Sequence, residues 1–291
     1  MYEKVNPCHP DKVADRIAGA IVDLAYSKKS NPKVACEVLI GHGKAMIINE
    51  TDTPISVEDV TRIVQRIAES KSIVVEYIEV KQDEHLNQNQ VGKARCGDNG
   101  IFKGTPMTNE QLVLTCLAGM IYKKHPSDGK YLVNGNNITL CQSNADAMIL
   151  KNEIAKERLL TENALNKIKI NPLGYWTGGT NVDTGATNRK LGSDMGDGVT
   201  GGGLHGKDLS KADVTINTWL FLIANQEHKT VEVTCSIGDE YIVHPITRVK
   251  IPYGKIVEVV QGYIKTIGGF EKFAEWGLLR PDHIKIGKVE R

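Results

Sequence analysis

The sequence predicts an α+β fold in which mixed β-sheets carry helices on one face. Two hairpin signals support this: Gly-His-Gly separates the strand-like runs 34–41 and 45–50, and Asn134-Gly135 separates a second pair of runs. Segments with apolar residues at helical spacing lie between the paired strands. The order of helix, paired strands, helix and strand recurs loosely about three times along the chain.

Each element has its own local signal. The first helix follows His9-Pro10, because proline suits the first helical turn, and Thr108-x-x-Gln111 is a capping box. Gly- and Asn-rich sequence over 82–100 and much of 171–206 predicts loops. Four helices are predicted to begin after Pro10, at Ser56, at Thr108 and at about Ser210. Two more are predicted over 145–160 and near 255–266. The predicted strands cover 34–41, 45–50, 73–80, 131–133, 138–140, 230–237 and 241–249. The predicted subdomains are 1–105, 106–180 and 181–291.

Composition restricts the class of protein. The 291-residue chain is 41% hydrophobic and 24% charged, which is ordinary for a globular protein. Its 36 basic and 35 acidic residues lack the surplus of positive charge that coats nucleic acid. No stretch approaches the roughly 20 apolar residues that span a bilayer, and the start lacks the apolar region of a signal peptide. The six cysteines form no Cys-x-x-Cys pair, which favours reduced thiols. We therefore expect a cytoplasmic protein without nucleic-acid or membrane partners.

The segment most suggestive of chemistry is rich in glycine and ends in a lysine. Glycine lets backbone N–H groups approach an anion, and the lysine supplies a positive charge. Gly201 to Lys207 matches the G-x-x-x-x-G-K pattern of a P-loop, but Asp208 stands where that loop needs a Ser or Thr. A flexible glycine loop beside a surface lysine remains the alternative.

Further charged residues cluster in sequence near this loop and at the first helix. Lys211 and Asp213 lie at the start of the helix that follows the loop, where N–H groups favour phosphate. Arg189-Lys190 offers a planar guanidinium, which can donate two hydrogen bonds to phosphate oxygens, beside the compact positive charge of an ammonium. At the first helix, Asp11 of His-Pro-Asp-Lys is a candidate magnesium ligand, or simply a first-turn acid that favours the helix dipole.

Two acids belong to predicted strands. Glu37 lies within the strand 34–41, and Glu50 closes the next strand. An acid on a buried sheet face is costly unless it meets a cation or hydrogen-bond donors. By alternation Glu37 shares a face with Ala35 and Leu39, so either the buried or the solvated face remains possible.

Taken in order, these motifs closely resemble the S-adenosylmethionine synthetase (methionine adenosyltransferase) family. The resemblance covers about the first 240 residues and identifies a short, divergent member. Its motifs are His-Pro-Asp-Lys-Val-Ala-Asp at 9–15, Val-Ala-Cys-Glu at 34–37, Gly-Asp-Asn-Gly at 97–100, Asp-Gly-Lys at 128–130, Ile-Asn-Pro-x-Gly at 170–174 and the Gly-rich Gly-Lys-Asp-x-Ser-Lys-x-Asp segment at 201–213.

The resemblance implies an enzyme with three subdomains about a pseudo-threefold axis. It implies that methionine sulfur attacks C5′ of ATP, and that the expelled triphosphate is hydrolysed to phosphate and pyrophosphate. Sulfur needs no activated Ser or Cys, so the demanding task is to stabilise a departing triphosphate. Mg²⁺ and K⁺ are the implied cofactors. A homodimer or dimer of dimers, with the active site between subunits, is the implied assembly.

The resemblance also implies a role for each matched residue. His9 would assist departure of the triphosphate, Arg189 would act in its hydrolysis, and four lysines would hold its oxygens: Lys12, Lys190, Lys207 and Lys211. ATP or substrate contacts are implied for Asp128, Lys130 and Asp183, and methionine contacts for Glu50, Gln82, Asp98 and Asp183. The implied metal ligands are Asp11 and Asp213 for Mg²⁺ and Glu37 for K⁺.

The chain departs from the family pattern in several places. Pro7-Cys8 replaces a Glu-Gly pair, and Asn99 replaces a glutamine. The stretch between Gln82 and Gly97, a gating loop in relatives, is shorter, and Leu204-His205 replaces an Ala-Phe-Ser run. Two alternatives therefore remain: a P-loop-like kinase or NTPase, and a catalytically weakened nucleotide-binding relative or partner subunit of the same family.

Overall fold

The computed structural model describes residues 1–135, 137–157 and 159–282. In chain order its first half comprises β1 (Tyr2–Val5), α1 (Pro10–Lys28), β2 (Val34–Gly41), β3 (Lys44–Thr51), α2 (Val57–Ile67), β4 (Val74–Lys81), α3 (Glu84–Asn89), β5 (Gly100–Gly104), α4 (Asn109–Lys124), β6 (Gly129–Asn134) and β7 (Asn137–Gln142). Its second half comprises α5 (Ala147–Glu157), α6 (Glu162–Lys167), β8 (Lys169–Ile170), β9 (Thr184–Ala186), α7 (Leu191–Met195), α8 (Ala212–Glu227), β10 (Val231–Cys235), β11 (Tyr241–Val243), β12 (Lys250–Pro252), α9 (Tyr253–Thr266) and α10 (Phe270–Trp276).

The first sheet has the strand order β4-β3-β2-β9. β3 pairs antiparallel with β2 and parallel with β4, so the sheet is mixed. Burial alternates along β2, where Cys36, Val38 and Ile40 face the core while Glu37 and Leu39 are exposed. The inner face of this sheet packs against α1 and α2. We call the opposite, exposed face of β2, β3 and β4 the outer face.

The second sheet has the order β1-β6-β7-β8 and is also mixed, because β7 pairs antiparallel with β6 and parallel with β8. Tyr131 and Leu140 point from it into a separate apolar core, where they pack with Leu117 of α4 and Leu150 of α5. β1 comes from the beginning of the chain and carries the residues before α1 to this sheet.

The third region is built around α8, a helix buried on nearly all sides. It packs against β5, which pairs with β10, and against α9. The small β11–β12 ribbon lies beside it. Apolar residues of this region and those beneath the first sheet form one continuous core. α1 and α8 are thus anchored in the same core, which fixes the positions of their N-termini.

Most of the predicted elements are confirmed, and so is the α+β class with mixed sheets. Both hairpins form, and the Thr108 capping box is present with both of its hydrogen bonds. The prediction of a loop over 82–100 was incomplete, because Asp83 caps the short helix α3. The predicted strand 241–249 was too long: β11 ends at Val243, where the backbone N–H groups of Ile246 and Thr247 bond to the His244 ring. The helices α6, α7 and α10 and the strands β1, β5, β8, β9 and β12 were not predicted.

The subdomain boundaries stay a prediction. Strands from different predicted segments share sheets: β1 lies with β6, β9 with β2, and β10 with β5. Residue 136 of the second hairpin, residue 158 of the predicted helix 145–160, and residues 283–291 of the predicted third subdomain lie outside the described residues.

Asp208 joins the Gly-rich segment to the first sheet. Its carboxylate is fully buried and accepts hydrogen bonds from the backbone N–H groups of Val34 and Ser210, each at 2.8 Å. The ammonium of Lys33 lies 3.8 Å from the same carboxylate. The residue that spoils the P-loop match is therefore a link between β2 and the turn that leads into α8.

We expect Asp208→Asn to lower the free energy of unfolding by about 2–4 kcal/mol, because an amide cannot accept from both N–H groups and a buried charge pair is broken. Urea denaturation measures the loss. The matched control is Glu157→Gln, which removes an exposed ion pair with Lys124 and should cost less than about 1 kcal/mol. Equal losses in the two variants would contradict the structural role of Asp208.

Candidate active site

His9 caps the N-terminus of α1. Its Nδ1 accepts the backbone N–H of Asp11 at 3.2 Å, and Pro10 occupies the first helical position. Burial lowers the pKa of His9 to about 4, and the neighbouring ammonium of Lys190 lowers it further than the Asp11 carboxylate restores. The ring is therefore neutral at neutral pH. Since Nδ1 accepts a hydrogen bond, the proton of the neutral ring lies on Nε2.

Asp11 joins the first turn of α1 to the segment around 186–190. Its carboxylate is 2% exposed and accepts the backbone N–H of Ala186 at 2.9 Å. The ammonium of Lys190 lies 2.5 Å from Oδ2, and the guanidinium of Arg189 lies 3.6 Å from Oδ1. The structure thus brings His9, Asp11, Arg189 and Lys190 together, and we call this group the His9 cluster.

Close approach of two backbones makes the His9 cluster possible. β9 adds to the edge of β2 and thereby crosses over the start of α1. A Cβ on Gly185 would lie 2.1 Å from the carbonyl carbon and oxygen of Pro10, so this position accepts only glycine. Glycine at position 185 therefore lets β9 pass close to the start of α1, and this brings the Arg189-Lys190 pair to α1.

Asp128 lies near this cluster, in a cavity of about 250 Å³ lined by Cys8, Ser127 and Gly179 among others. Its carboxylate accepts the backbone N–H of Gly179 at 3.1 Å. Burial raises the pKa of Asp128 to about 6, and the carboxylates of Asp183 and Asp11 add to the effect. An acid that is protonated near pH 6 can donate or accept a hydrogen bond to a ligand.

The two other predicted nucleotide contacts, Lys130 and Asp183, are more exposed. Lys130 of β6 forms an ion pair with Glu3 at 3.0 Å, with 40% of its side chain exposed. The exposed carboxylate of Asp183 accepts the backbone N–H of Thr184.

A second group of charges lies at the N-terminus of α8, and we call Lys207, Lys211, Asp213 and Asp98 the Lys207 cluster. Lys207 forms an ion pair with Asp213 in the first turn of the helix. Lys211 occupies the N-cap position and is nearly buried. Asp98 accepts the backbone N–H of Ala212 at 2.8 Å, and burial raises its pKa although Lys211 opposes the shift.

The Gly-rich loop connects the two clusters. A Cβ on Gly203 would collide with the side chain of Asn188, and one on Gly202 with the carboxylate of Asp213. The loop therefore passes between Asn188, which precedes Arg189, and Asp213, which pairs with Lys207. Only glycine allows this passage, which explains the glycines at these positions without a P-loop.

Glu37 and Glu50 both lie on the outer face of the first sheet. Glu37 accepts the hydroxyl hydrogen of Thr187, which follows β9. Glu50 stands opposite Ala35 in the β2–β3 register, so the two acids are diagonal neighbours. Of the two possibilities for Glu37, the structure shows the exposed face.

Gln82 is buried at the end of β4. Within the described residues its Oε1 has no hydrogen-bond partner, although it is shielded from solvent. An unpartnered buried oxygen is costly, which makes Gln82 a candidate for binding a ligand.

Lys12 is not brought into the open site. Its side chain is 0% exposed, and its ammonium pairs with Asp15 at 3.0 Å and Asp194 at 2.7 Å. Sequence reasoning did not single out Asp15, Asp194, His205 or Asn188, which all surround this ammonium or the loop beside it. Nothing in their spacing signals such a group, because they meet only in the folded chain.

The donors present suit Mg²⁺ bound largely by phosphate and water. Asp11 and Asp213 each offer one carboxylate, and each carboxylate already pairs with a lysine. Among the described residues, the group close enough to form an all-protein metal site is Asp15, Asp194 and His205, not these two. Mg²⁺ commonly binds through one or two carboxylates together with substrate phosphates, so Asp11 and Asp213 fit that mode.

Comparisons with known proteins indicate which proteins the chain resembles. Residues 1–92 match the model of the S-adenosylmethionine synthetase N-terminal domain. The S-adenosylmethionine synthase of Mycoplasma capricolum is 27% identical over 267 residues, and that of Fusobacterium nucleatum is 28% identical over 265. Both alignments cover 72% of this chain and 68% of the relative.

The fold agrees as well. A structure described as an unusual S-adenosylmethionine synthetase from Campylobacter jejuni matches with a TM-score of 0.70, covering 99% of each chain at 20% identity. At that identity the match establishes the fold alone. The chain is thus similar to S-adenosylmethionine synthetases in the sequence of its first 92 residues, along most of its length at low identity, and in fold. In the described residues, the helices are too short or too polar to cross a membrane.

The raised pKa of Asp128 predicts a pH-dependent stability difference. A carboxyl whose pKa is higher in the folded state stabilises the protein below its unfolded value of 3.8, and this contribution is lost as pH rises through about 6. Asp128→Asn mimics the protonated acid and avoids the loss. We expect the stability of the variant relative to the parent protein to grow by up to about 3 kcal/mol between pH 4 and pH 7. Urea denaturation at several pH values measures this, and a constant difference would contradict it.

Proposed function

We propose that the chain is a methionine adenosyltransferase, which makes S-adenosylmethionine from ATP and methionine and hydrolyses the triphosphate to phosphate and pyrophosphate. The observation that carries the proposal is the His9 cluster, in which a neutral imidazole lies beside Arg189 and Lys190 at a helix N-terminus. Similarity to S-adenosylmethionine synthases supports the same reaction.

The chemistry requires cations more than a nucleophile. Methionine sulfur attacks C5′, and the bond from C5′ to the triphosphate oxygen breaks, so negative charge develops on that oxygen. Arg189, Lys190, Lys207 and Lys211 supply positive charge for it, with Arg189 assigned to triphosphate hydrolysis. Asp11 and Asp213 neutralise two of these lysines in the resting protein, which keeps the charges in place until a polyanion arrives.

His9 is suited to assist the departing oxygen. Its Nδ1 is engaged by the Asp11 N–H, so the Nε2–H is the group left to donate. A neutral N–H donor can stabilise the oxyanion directly, whereas a lysine that is paired with a carboxylate must first leave that partner. Because the pKa of the ring is about 4, this donor is unchanged across the neutral pH range.

The roles proposed for the remaining residues are those that the resemblance to the family implies. Asp11 and Asp213 would hold Mg²⁺ together with phosphate oxygens, and that ion would neutralise charge on the triphosphate. Glu37 would hold K⁺. Asp128, Lys130 and Asp183 would contact ATP. Methionine would meet Gln82, Asp98, Glu50 and Asp183, where the carboxylates favour the positive sulfonium product.

The outer face supports a homodimer with the site between subunits. Leu39, Met46 and Ile48 are 49%, 42% and 44% exposed there, and Ile78 and Val80 extend the apolar surface. A contiguous apolar patch of this kind marks an interface, and a twofold dimer buries the same patch on both copies. Glu37 and Glu50 lie on that face, so pairing would enclose both acids. A dimer of dimers would use further surfaces.

The alternatives make different predictions. A P-loop kinase needs a strand leading into the glycines, whereas here a 3-10 turn at Gly196–Gly198 precedes them, and Asp208 is used to bind backbone N–H groups. A catalytically weakened relative or partner subunit would retain the fold without turnover.

Incubation with ATP, methionine, Mg²⁺ and K⁺ tests the function, and we expect S-adenosylmethionine, pyrophosphate and phosphate as products. Lys207→Ala should lose at least about 100-fold in rate, because the variant lacks one positive charge that would stabilise the departing triphosphate. Lys255→Ala, which removes an exposed lysine of α9, is the control and should retain full activity. ADP as the product would establish the kinase alternative, and a folded protein that forms no product would establish the weakened relative.

Ile48→Glu tests the proposed dimer. A carboxylate at this position would be buried on both sides of a twofold interface, so the dimer should dissociate to monomer. Sedimentation velocity measures the change. Val259→Glu alters an equally exposed apolar residue on α9 and should leave the dimer intact. A dimer that persists unchanged in Ile48→Glu would place the interface elsewhere.

A further inference from the structure

A buried polar cluster lies beneath the open site, formed by Lys12, Asp15, Asp194 and His205. All four side chains are at most 1% exposed. The Lys12 ammonium lies 3.0 Å from Asp15, 2.7 Å from Asp194 and 3.2 Å from the Nε2 of His205. That Nε2 also lies 3.0 Å from the Asp194 carboxylate. We call these residues the Lys12 cluster.

The Lys12 cluster has the donor set of a metal site, but a lysine fills its centre. Asp15, Asp194 and His205 each present a possible ligand atom within a few ångströms of the others. The Lys12 Nζ is within 3.2 Å of an atom on each. An ammonium thus takes the position that a cation would need, and the cluster needs no metal.

The four members come from three segments of the chain. Lys12 and Asp15 belong to α1, whose first turn carries His9 and Asp11. Asp194 lies in α7, which begins directly after Lys190. His205 lies in the Gly-rich loop, two residues before Lys207. The Lys12 cluster is therefore the place where the three segments that carry the proposed triphosphate ligands meet.

Hydrogen bonds continue from the cluster directly into those segments. Asp15 Oδ1 accepts the backbone N–H of Asn188, which immediately precedes Arg189, at 2.8 Å. The Asn188 side chain in turn holds the backbone of His205, accepting its N–H at 3.0 Å and donating to its carbonyl at 3.1 Å. The backbone N–H of Asp194 bonds to the Lys190 carbonyl at 3.0 Å.

The charges of the cluster support one another. Burial alone would raise the pKa of Asp194, but Lys12 and His205 hold it well below its usual value. Burial alone would lower the pKa of Lys12, but Asp15 and Asp194 raise it. Both groups therefore stay ionised in a site without solvent. Removing one member would leave the others unpaired, and they would have to move or admit water.

We propose that Lys12, Asp15, Asp194 and His205 are positioning residues, which set the His9 cluster and Lys207 at the separation that a triphosphate chain requires. This inference rests on the proposed function. It replaces the role implied by resemblance for Lys12, because that side chain would have to leave two buried carboxylates to reach a phosphate. It also explains why His205 stands in the Gly-rich loop: its ring binds Asp194 and thereby fixes the residues before Lys207.

The test compares three cluster variants with one matched control. Asp194→Asn and His205→Leu break the cluster, whereas His205→Gln keeps a side-chain N–H that can reach Asp194. The control is Asp23→Asn, the same exchange at a mostly buried aspartate of α1 that caps α10 through the N–H groups of Phe270 and Glu271, away from the triphosphate ligands. Thermal melting of each variant reports stability.

Two further measurements distinguish positioning from stability. Calorimetry with inorganic tripolyphosphate and Mg²⁺ gives the affinity of the phosphate-binding groups without turnover, and steady-state kinetics gives kcat and the KM for methionine. We expect Asp194→Asn and His205→Leu to weaken tripolyphosphate binding and lower kcat by about tenfold or more, with an unchanged KM for methionine. His205→Gln should recover most of both, and Asp23→Asn should lose stability only.

The outcomes are decisive for both proposals. If the folded cluster variants bind tripolyphosphate and turn over as Asp23→Asn does, the positioning role is wrong. Should Asp194→Asn fail to fold, the contrast between His205→Leu and His205→Gln decides, and equal values for these two would overturn the inference. If the parent protein binds tripolyphosphate in a cluster-dependent way but forms no S-adenosylmethionine, the positioning role stands and the proposed function fails. If the parent protein does not bind tripolyphosphate, both fail.

Discussion

The burial of charge along one side of α1 is the constraint on which the site depends. Asp11, Lys12 and Asp15 lie in the first turns of this helix and are almost wholly removed from solvent. Isolated charges in such a place would cost several kcal/mol each, so the chain must bring partners from distant positions. Asp11 receives Lys190 and the Ala186 N–H, while Lys12 receives Asp194 and His205. The need to pair these charges selects the arrangement of the segment from 184 to 207.

The same pairing accounts for how the proposed polyanion site would be stable without its ligand. Several cations on one surface repel one another, and here the two lysines nearest the proposed metal ligands are neutralised by Asp11 and Asp213. The ion pairs are partly exposed, with 14% of the Lys190 side chain and 18% of the Lys207 side chain accessible, so an arriving phosphate can exchange with the carboxylates. The fully buried pairs of Lys12 are not exchangeable in this way. In the proposed site, the charges that would bind phosphate are thus separate from the charges that would hold the binding groups in position.

Some positions that depart from the expected family pattern contact other parts of the chain. Cys8 borders the cavity beside Asp128, and burial raises the pKa of its thiol to about 11, so it behaves as a neutral group. Leu204-His205 replaces a run of different size, and both side chains are buried. His205 enters the Lys12 cluster, and its ring packs edge-on against Phe273 of α10 with centroids 5.5 Å apart. The buried His205 ring thus has a buried carboxylate partner, Asp194.

The sequence by itself determined most of the longer elements and predicted the charged residues of the proposed site. The 2.0 and 3.6 residue periods, the Thr108 capping box and the two hairpin turns depend on interactions within a few residues, which is why they were predicted correctly. The motifs around His9, Arg189 and Lys207 were recognisable because glycines and charges stand at short spacing. The tertiary structure alone decided which charges meet. Asp15, Asp194 and His205 are separated by up to about 190 residues, and only chain folding brings them to Lys12. It also decided that Lys12 is buried while Lys207 is partly exposed, since burial depends on every element packed around a side chain and not on its neighbours in sequence.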